Sequence, residues 1–305
     1  MFRVQQTIDR IRDCRRLYSN ASSIILQTAM HKLFRSGTRL VHVTVRLTHL
    51  AEGAERSAVI QQWAAFSVAK LAILQDFRLD IRRNVSSFSF LGKQVTLSDS
   101  ILNGDLYDTY VREIYRVVEP KDRSVLDVGA NIGDSSVYFA LKGAERVLAL
   151  EPHPLSFQSL AENVRINSLQ SVITPVNAGL SSRVGTASFD ASSNSGVVAR
   201  LGSPCRKEQV SVLSLARVIE DFDLEDSVLK LDCEGCEYEA ILSAEPAILR
   251  HFERIVIEFH HGGTTLRDKL MLAGFEVLFI ASSLDSRPAF PSQHDWTGLI
   301  LARRR

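Results

Sequence analysis

Apolar positions in the first 80 residues recur mainly at helical spacing. Ile8, Ile11 and Arg15 share one stripe of a first helix, with Arg10, Arg12 and Arg16 off it, and Ile24–Phe34 and Val59–Phe77 repeat the pattern. Val41–Leu47, with its β-branched residues in alternation, is compatible with a strand. Ser87–Leu91 and Gln94–Leu97 flank Gly92-Lys93 and predict a hairpin. A helix is expected over Tyr107–Val118, closed by Pro120. From Ser124 the rhythm changes. Short apolar runs at Val125–Val128, Arg146–Leu150, Val172–Asn177, Val228–Leu231, Ile255–Phe259 and Phe275–Ile280 alternate with helical patterns at Gly133–Lys142, Pro154–Asn167, Cys236–Arg250 and Thr265–Ala273. That alternation predicts an α/β fold with a parallel sheet. A last run, Gly298–Ala302, follows a loop rather than a helix and fits a seventh strand inserted antiparallel. Ser192–Ser203, rich in Ser and Gly, reads as a mobile loop.

A chain of 305 residues allows one large domain, or one domain with an appendage. The division expected here is a helical N-terminal extension over 1–85, with a docking or acceptor-recognition role, and an α/β domain over 86–305. Net charge is +1, which gives no nucleic-acid signal, and no basic stripe is interleaved with aromatics. The balance is uneven, however: residues 1–95 hold 15 Lys and Arg against 6 Asp and Glu, so the rest of the chain is acidic. Four cysteines are too few for a disulfide scaffold of this size. Met1-Phe2-Arg3-Val4 does not open a signal peptide, and the most apolar long stretch, Ala58–Leu74, is interrupted by Gln61, Gln62 and Lys70. These features predict a cytoplasmic protein without an integral membrane segment; a homo-oligomer is compatible with them.

The candidate chemistry sits at the ends of the predicted strands. Asp127-Val128-Gly129-Ala130-Asn131-Ile132-Gly133-Asp134 links a strand to a helix, and Gly129 and Gly133 allow a tight turn and close approach of a ligand. The G-x-x-x-G spacing differs from the G-x-G-x-x-G of dinucleotide binders and argues against a nicotinamide-dependent oxidoreductase. Asp127 is placed to accept from an amine. Glu151, ending the next strand before Pro152, follows Asp127 by 24 residues, about the interval at which an acid receives the ribose hydroxyls of a nucleoside. Asn177 and Ala178 close the third strand and are placed to flank an adenine. Asp232, Glu234 and Glu237 cluster in Lys230-Leu231-Asp232-Cys233-Glu234-Gly235-Cys236-Glu237, where a carboxylate serves proton abstraction or a cation. The C-x-x-C pair there has no second pair for zinc, and Cys14 and Cys205 stand alone. Glu258-Phe259-His260-His261 ends a further strand, and His260 is able to take a proton near neutral pH.

Taken in order, these motifs resemble the FkbM-type methyltransferases, a class I S-adenosylmethionine-dependent group. The resemblance rests on DVGANIGD at Asp127–Asp134, on Glu151-Pro152 with Asn163 and Asn167 downstream, on KLDCEGCE at Lys230–Glu237, and on IEFH at Ile257–His260. It implies a doubly wound, mostly parallel seven-stranded domain and O-methylation of a small-molecule acceptor such as a sugar or secondary metabolite. S-adenosyl-L-methionine is then expected at Asp127, Gly129, Asn131, Gly133, Asp134, Glu151, Pro152, Asn177 and Ala178. Residues 1–90 fall outside the resemblance, and Cys233 and Cys236 stand where the family commonly has small or apolar residues. Asp232 or His260 is expected to take the acceptor proton; alternatively Asp232 and Glu258 hold a divalent cation. Two other readings use the same fold: a nucleoside-binding protein without catalysis that acts through its basic N-terminal segment, and a methyltransferase acting on RNA.

Overall fold

The structure, a computed structural model, describes residues 2–34, 40–101, 106–190, 207–281 and 298–305. The predicted loop Ser192–Ser203 and Cys205 lie outside the described residues. The chain forms two compact units, Met1–Glu113 and Ile114–Arg305. This division falls after the 85/86 boundary drawn from the sequence, because the predicted hairpin pairs with a strand that precedes it.

The first unit opens with helices α1 (Phe2–Leu17) and α2 (Ala21–Phe34). Strands β1 (Leu40–Thr44) and β2 (Ser57–Gln61) pair antiparallel, and α3 (Gln62–Leu71) follows directly. The expected helix Val59–Phe77 therefore begins later, since Ser57–Gln61 joins β1. Asn20 fastens α2 to β1: its amide donates to the His42 carbonyl at 2.9 Å and accepts from the Thr44 N–H at 2.8 Å. Strands β3 (Arg78–Asp80), β4 (Val85–Phe90) and β5 (Lys93–Ser98) form a second small sheet. Its alternating pattern buries Ser86, Phe88 and Phe90, and Tyr110 packs edge-on against both rings. Tyr107–Val118 is not one helix; it forms two short turns, Tyr107–Val111 and Ile114–Val118. Cys14 is buried, which pushes its thiol pKa up to about 12.

In the second unit the strands are β6 (Ser124–Val128), β7 (Arg146–Leu150) and β8 (Ile173–Val176), linked by α4 (Asp134–Leu141) and α5 (Pro154–Ile166). Three strands, β9 (Gly179–Leu180), β10 (Gly185–Asp190) and β11 (Lys207–Leu213), build a small separate sheet. Helix α6 (Leu215–Phe222) leads into β12 (Ser227–Leu231), and α7 (Cys236–Ser243) and α8 (Pro246–Leu249) lead into β13 (Phe252–Phe259). Helix α9 (Thr264–Leu272), β14 (Phe275–Ala281) and β15 (Gly298–Arg304) complete the unit.

The main sheet runs β14-β15-β13-β12-β6-β7-β8. Its five central and flanking strands from β13 to β8 are parallel, and β15 is antiparallel to both neighbours, as the last apolar run predicts. The chain winds outward from β6 to β8, then returns to β12 beside β6. The strand order thus reverses between β6 and β12, and a crevice for ligands is expected beyond the carboxyl ends of these strands. Alternate residues of a strand face opposite sides. Leu126, Val128, Leu229 and Leu231 join a core with Leu215, Val218, Ile241, Leu249, Leu266 and Leu270 of the helices. Asp127 and Lys230, which lie between these residues in the same two strands, must therefore face the other side. No helix among the described residues is long and apolar enough to cross a membrane.

Candidate functional site

The turn after β6 is shaped by the chain itself. Gly129 has φ 71°, in the left-handed region, and a Cβ there would lie 1.8 Å from the Asp232 carbonyl oxygen. The backbone leaving β12 fills the space a side chain would need, so only glycine fits this position. Gly133, at φ 86°, precedes the first residue of α4, where a Cβ would meet Leu160 Cδ1 at 2.5 Å. Asp127 is fully buried. Its Oδ2 accepts from the Ser135 and Ser136 hydroxyls at 2.7 and 2.6 Å, and its Oδ1 faces Lys230 Nζ at 3.0 Å. Sequence reasoning missed these partners of Asp127. Lys230 is directly opposite Asp127 in the β6–β12 register, and its ammonium also donates to the Gly129 carbonyl at 3.0 Å and the Val128 carbonyl at 3.3 Å. Burial pulls the Lys230 pKa down, but Asp127 foremost and then Asp232 outweigh it and raise it. Lys230 therefore stays charged and ties the glycine turn to β12. Asp134, in the first turn of α4, is buried as well.

Glu151 is a buried acid at the end of β7. Its Oε2 accepts from the Asn131 N–H and its Oε1 from the His153 N–H, each at 2.8 Å. The first contact holds the glycine turn against the end of β7. A carboxylate has about four lone-pair directions, and these two bonds use two of them. Burial pushes the Glu151 pKa up to about 7, against the two backbone donors that lower it. Asn177 donates its amide to the Glu151 and Pro152 carbonyls at 2.9 and 3.2 Å, which locks the end of β8 to the end of β7. Ala178 beside it is buried, and its N–H is bonded to the Val176 carbonyl.

Asp232 and His260 meet at the ends of β12 and β13. His260 Nε2 lies 3.7 Å from Asp232 Oδ1 and 3.6 Å from Glu234 Oε2, while Nδ1 lies 2.9 Å from Glu237 Oε1. Burial opposes a charge on His260, but the hydrogen bond to Glu237 and the carboxylates of Glu234 and Asp232 outweigh it and push the pKa up to about 9. Glu258 lies in β13 in register with Leu299. No group of three or more His, Cys, Asp and Glu side chains disposed to hold a metal occurs among the described residues. Cys233 and Cys236 are joined in a disulfide that closes the turn carrying Glu234 and Gly235. The C-x-x-C spacing marked this pair in the sequence; what it braces was not visible there.

The motifs gathered in this way match a known family. Residues 127–283 match the family described as Methyltransferase FkbM domain, just over half of the chain, and the chain belongs to that family. Over 68 residues each, the chain is 35% identical to Ribosomal protein L11 methyltransferase of Herpetosiphon aurantiacus and 37% identical to Methyltransferase sdnD of Sordaria araneosa. Each match covers 22% of this chain, and the two span only 21% and 26% of those relatives. Among solved structures, methyltransferase FkbM from Methylobacillus flagellatus is 20% identical, with 65% of this chain and 53% of that one covered at a TM-score of 0.40. The mostly parallel seven-stranded sheet, with β15 inserted antiparallel next to the edge strand, is the class I methyltransferase arrangement.

Proposed function

We propose that the protein is an S-adenosylmethionine-dependent O-methyltransferase acting on the hydroxyl of a small molecule. The observation that carries the reading is Glu151, a buried carboxylate held by two backbone N–H groups at the end of β7 beside a tight glycine turn. The donor chemistry fits the cofactor. Ribose hydroxyls supply the donors that the free lone pairs of Glu151 need, and ionising it in their company is easier than in the apolar surroundings alone. Pro152, Asn177 and Ala178 border the adenine side. Asn131 and Gly133 shape the turn, and Asp134 adds negative charge to the first turn of α4. Asp127 acts on the turn through Lys230 rather than on the ligand directly, since its oxygens are engaged within the chain.

When bound, S-adenosylmethionine supplies an electrophilic methyl group on a sulfonium centre. The chain's part is to hold that centre and the acceptor in line, which for well-placed reactants removes roughly 7–11 kcal/mol of barrier. His260 takes the acceptor proton at Nε2, and Asp232 beside it helps to hold the acceptor hydroxyl. General-base assistance of this kind contributes about 10²–10⁴-fold. With a pKa of about 9, His260 is largely protonated at neutral pH, so turnover rises as pH climbs toward that value. Glu258 is left without a catalytic part, and the cation alternative is not adopted.

Calorimetry with S-adenosylmethionine, S-adenosylhomocysteine and NAD tests the cofactor half of the reading. Binding of the first two and not of NAD is expected; binding of NAD alone would overturn it. Incubation of metabolite extracts with methyl-labelled cofactor then tests the acceptor half. Label in a small hydroxylated product is expected, and label found only in RNA or protein would replace the acceptor class.

A further inference from the structure

We infer that Glu237 is a positioning residue for the methyl-transfer site, fixing both the ring orientation and the basicity of His260. The inference rests on the assignment of His260 as the base. Glu237 is fully buried in the first turn of α7. There the helix dipole favours a negative charge. One of its oxygens accepts from the Gly235 N–H at 2.8 Å and lies 3.4 Å from Cys233 Sγ. A glutamate that served only to cap the helix would have no need of a partner on another strand. Yet the other oxygen of Glu237 meets His260 Nδ1 at 2.9 Å, beyond the end of β13.

That contact bears on which ring nitrogen works. With Nδ1 donating to Glu237, Nε2 is left to exchange the second proton. Nε2 is the atom turned toward Asp232 and Glu234. The charged groups facing the ring are thus Glu237, Glu234 and Asp232, with Lys230 Nζ a further 4.0 Å from Asp232 Oδ2. Asp232 and Glu234 are partly or largely exposed, whereas Glu237 is wholly shielded from water, so its attraction for the imidazolium is screened least. The next residue of α7 strengthens the grip. Tyr238 accepts from the His261 N–H at 2.8 Å and donates to the Gly262 carbonyl at 2.9 Å. Consecutive side chains of one helix therefore hold the ring of His260 and the backbone just after it.

The test is a ring titration of His260 by NMR in the full chain and in Glu237→Gln and Glu237→Asp, the signal being the one lost in His260→Gln. The pH dependence of methyl transfer is measured on the same proteins. In Glu237→Gln the proton dissociation constant of His260 should rise about tenfold or more, because the neutral amide withdraws the charge that favours imidazolium. Its limiting kcat at high pH, where His260 is neutral in every variant, should fall about tenfold to a hundredfold with cofactor KM unchanged, and Glu237→Asp should recover part of both. In a His260→Gln background, Glu237→Gln should cost nothing further. An unmoved His260 titration, or an undiminished loss in that background, would overturn the inference. Should Glu237→Gln not fold, Glu237→Asp is read by the same criteria. If the wild-type chain transfers no methyl group to any acceptor, the proposed function fails on its own and the ring titration still decides the role of Glu237.

Discussion

The residues of the site divide into those that face a ligand and those that hold the others in place. On the proposed function, Glu151 belongs to the first kind. Its pKa of about 7 lies well above the usual carboxylate range because burial disfavours the charge. An ionised Glu151 can accept from both ribose hydroxyls; a protonated one offers a donor where an acceptor is needed. S-adenosylmethionine affinity should therefore be full above pH 7 and fall as pH drops through that value, when measured by calorimetry between pH 5.5 and 8.5. Glu151→Ala should weaken binding by about 1–3 kcal/mol at high pH and remove the pH dependence. A pH dependence that survives in Glu151→Ala would place the titrating group elsewhere. Lys230 belongs to the second kind. Lys230→Met leaves Asp127 buried without its counter-charge, and should cost about 3–5 kcal/mol of stability in denaturant unfolding. Replacing both partners with apolar residues of similar size should cost much less, because no lone charge remains. Equal losses in the single and double variants would mean that packing, not charge, is what Lys230 supplies.

At this scale the sequence displayed the acids but not their roles. The place of Glu151 at the end of β7 is legible because the apolar run before it and its spacing from the glycine turn suffice to find it. Asp127 is not, since its partner is fixed by the register of β6 against β12, strands about a hundred residues apart in the chain. The crowding at Gly129 is hidden for the same reason: the atom that excludes a side chain belongs to Asp232. Glu237 was visible as a first-turn acid of a helix, while its bond to His260 depends on where β13 ends beside α7.

Among the elements, the sequence showed most clearly those whose period is sustained. The six parallel-run strands and the antiparallel seventh lie where the apolar runs put them, and so does the β4–β5 hairpin. The misses are short or interrupted. Cys236–Arg250 reads as one helix, but Pro246 cannot donate a backbone hydrogen bond and constrains Glu245 to extended geometry, so α7 ends and α8 starts afresh. No element was expected between Asn177 and Val228, where β9, β10, β11 and α6 lie. Helix α6 was detectable: Ser214 caps it, accepting from the Arg217 N–H at 3.2 Å, and Leu215, Val218 and Ile219 form its buried stripe. The turn from β12 to α7 is the element on which the site most depends. The Cys233–Cys236 disulfide closes it, and Gly235 within it supports Glu237. For so short a loop the chain-entropy relation gives about 2 kcal/mol. Reduction should lower stability by about that amount in denaturant unfolding, and Cys233→Ser should make the midpoint independent of reductant. Identical midpoints for oxidised and reduced wild type would show that the pair contributes nothing to the fold as a disulfide.

For the whole molecule, the question is which part of the chain is sufficient for the site. Every contact assigned to the cofactor or the acceptor lies between residues 127 and 260, inside the unit Ile114–Arg305. That unit holds the complete seven-stranded sheet and a core drawn from α6, α7, α8 and α9 as well as the strands. Tyr115 is part of it too: its ring packs against Phe139 and lies 5.8 Å from Lys230 Nζ. A cut at residue 86 would split the sheet of β3, β4 and β5, leaving a hairpin without its partner strand. A chain beginning at Ile114 avoids this. It should fold cooperatively, as followed by circular dichroism, and bind S-adenosylmethionine as tightly as the full chain. The excess of basic residues is in the first 95 positions, and the candidate role of that segment is acceptor recognition or docking rather than cofactor binding. Methyl transfer by the shortened chain should therefore show an unchanged KM for the cofactor and a raised KM for the acceptor. An unfolded fragment would show that the first unit completes the core of the second. A folded fragment with wild-type constants for both substrates would remove the N-terminal unit from the reaction altogether.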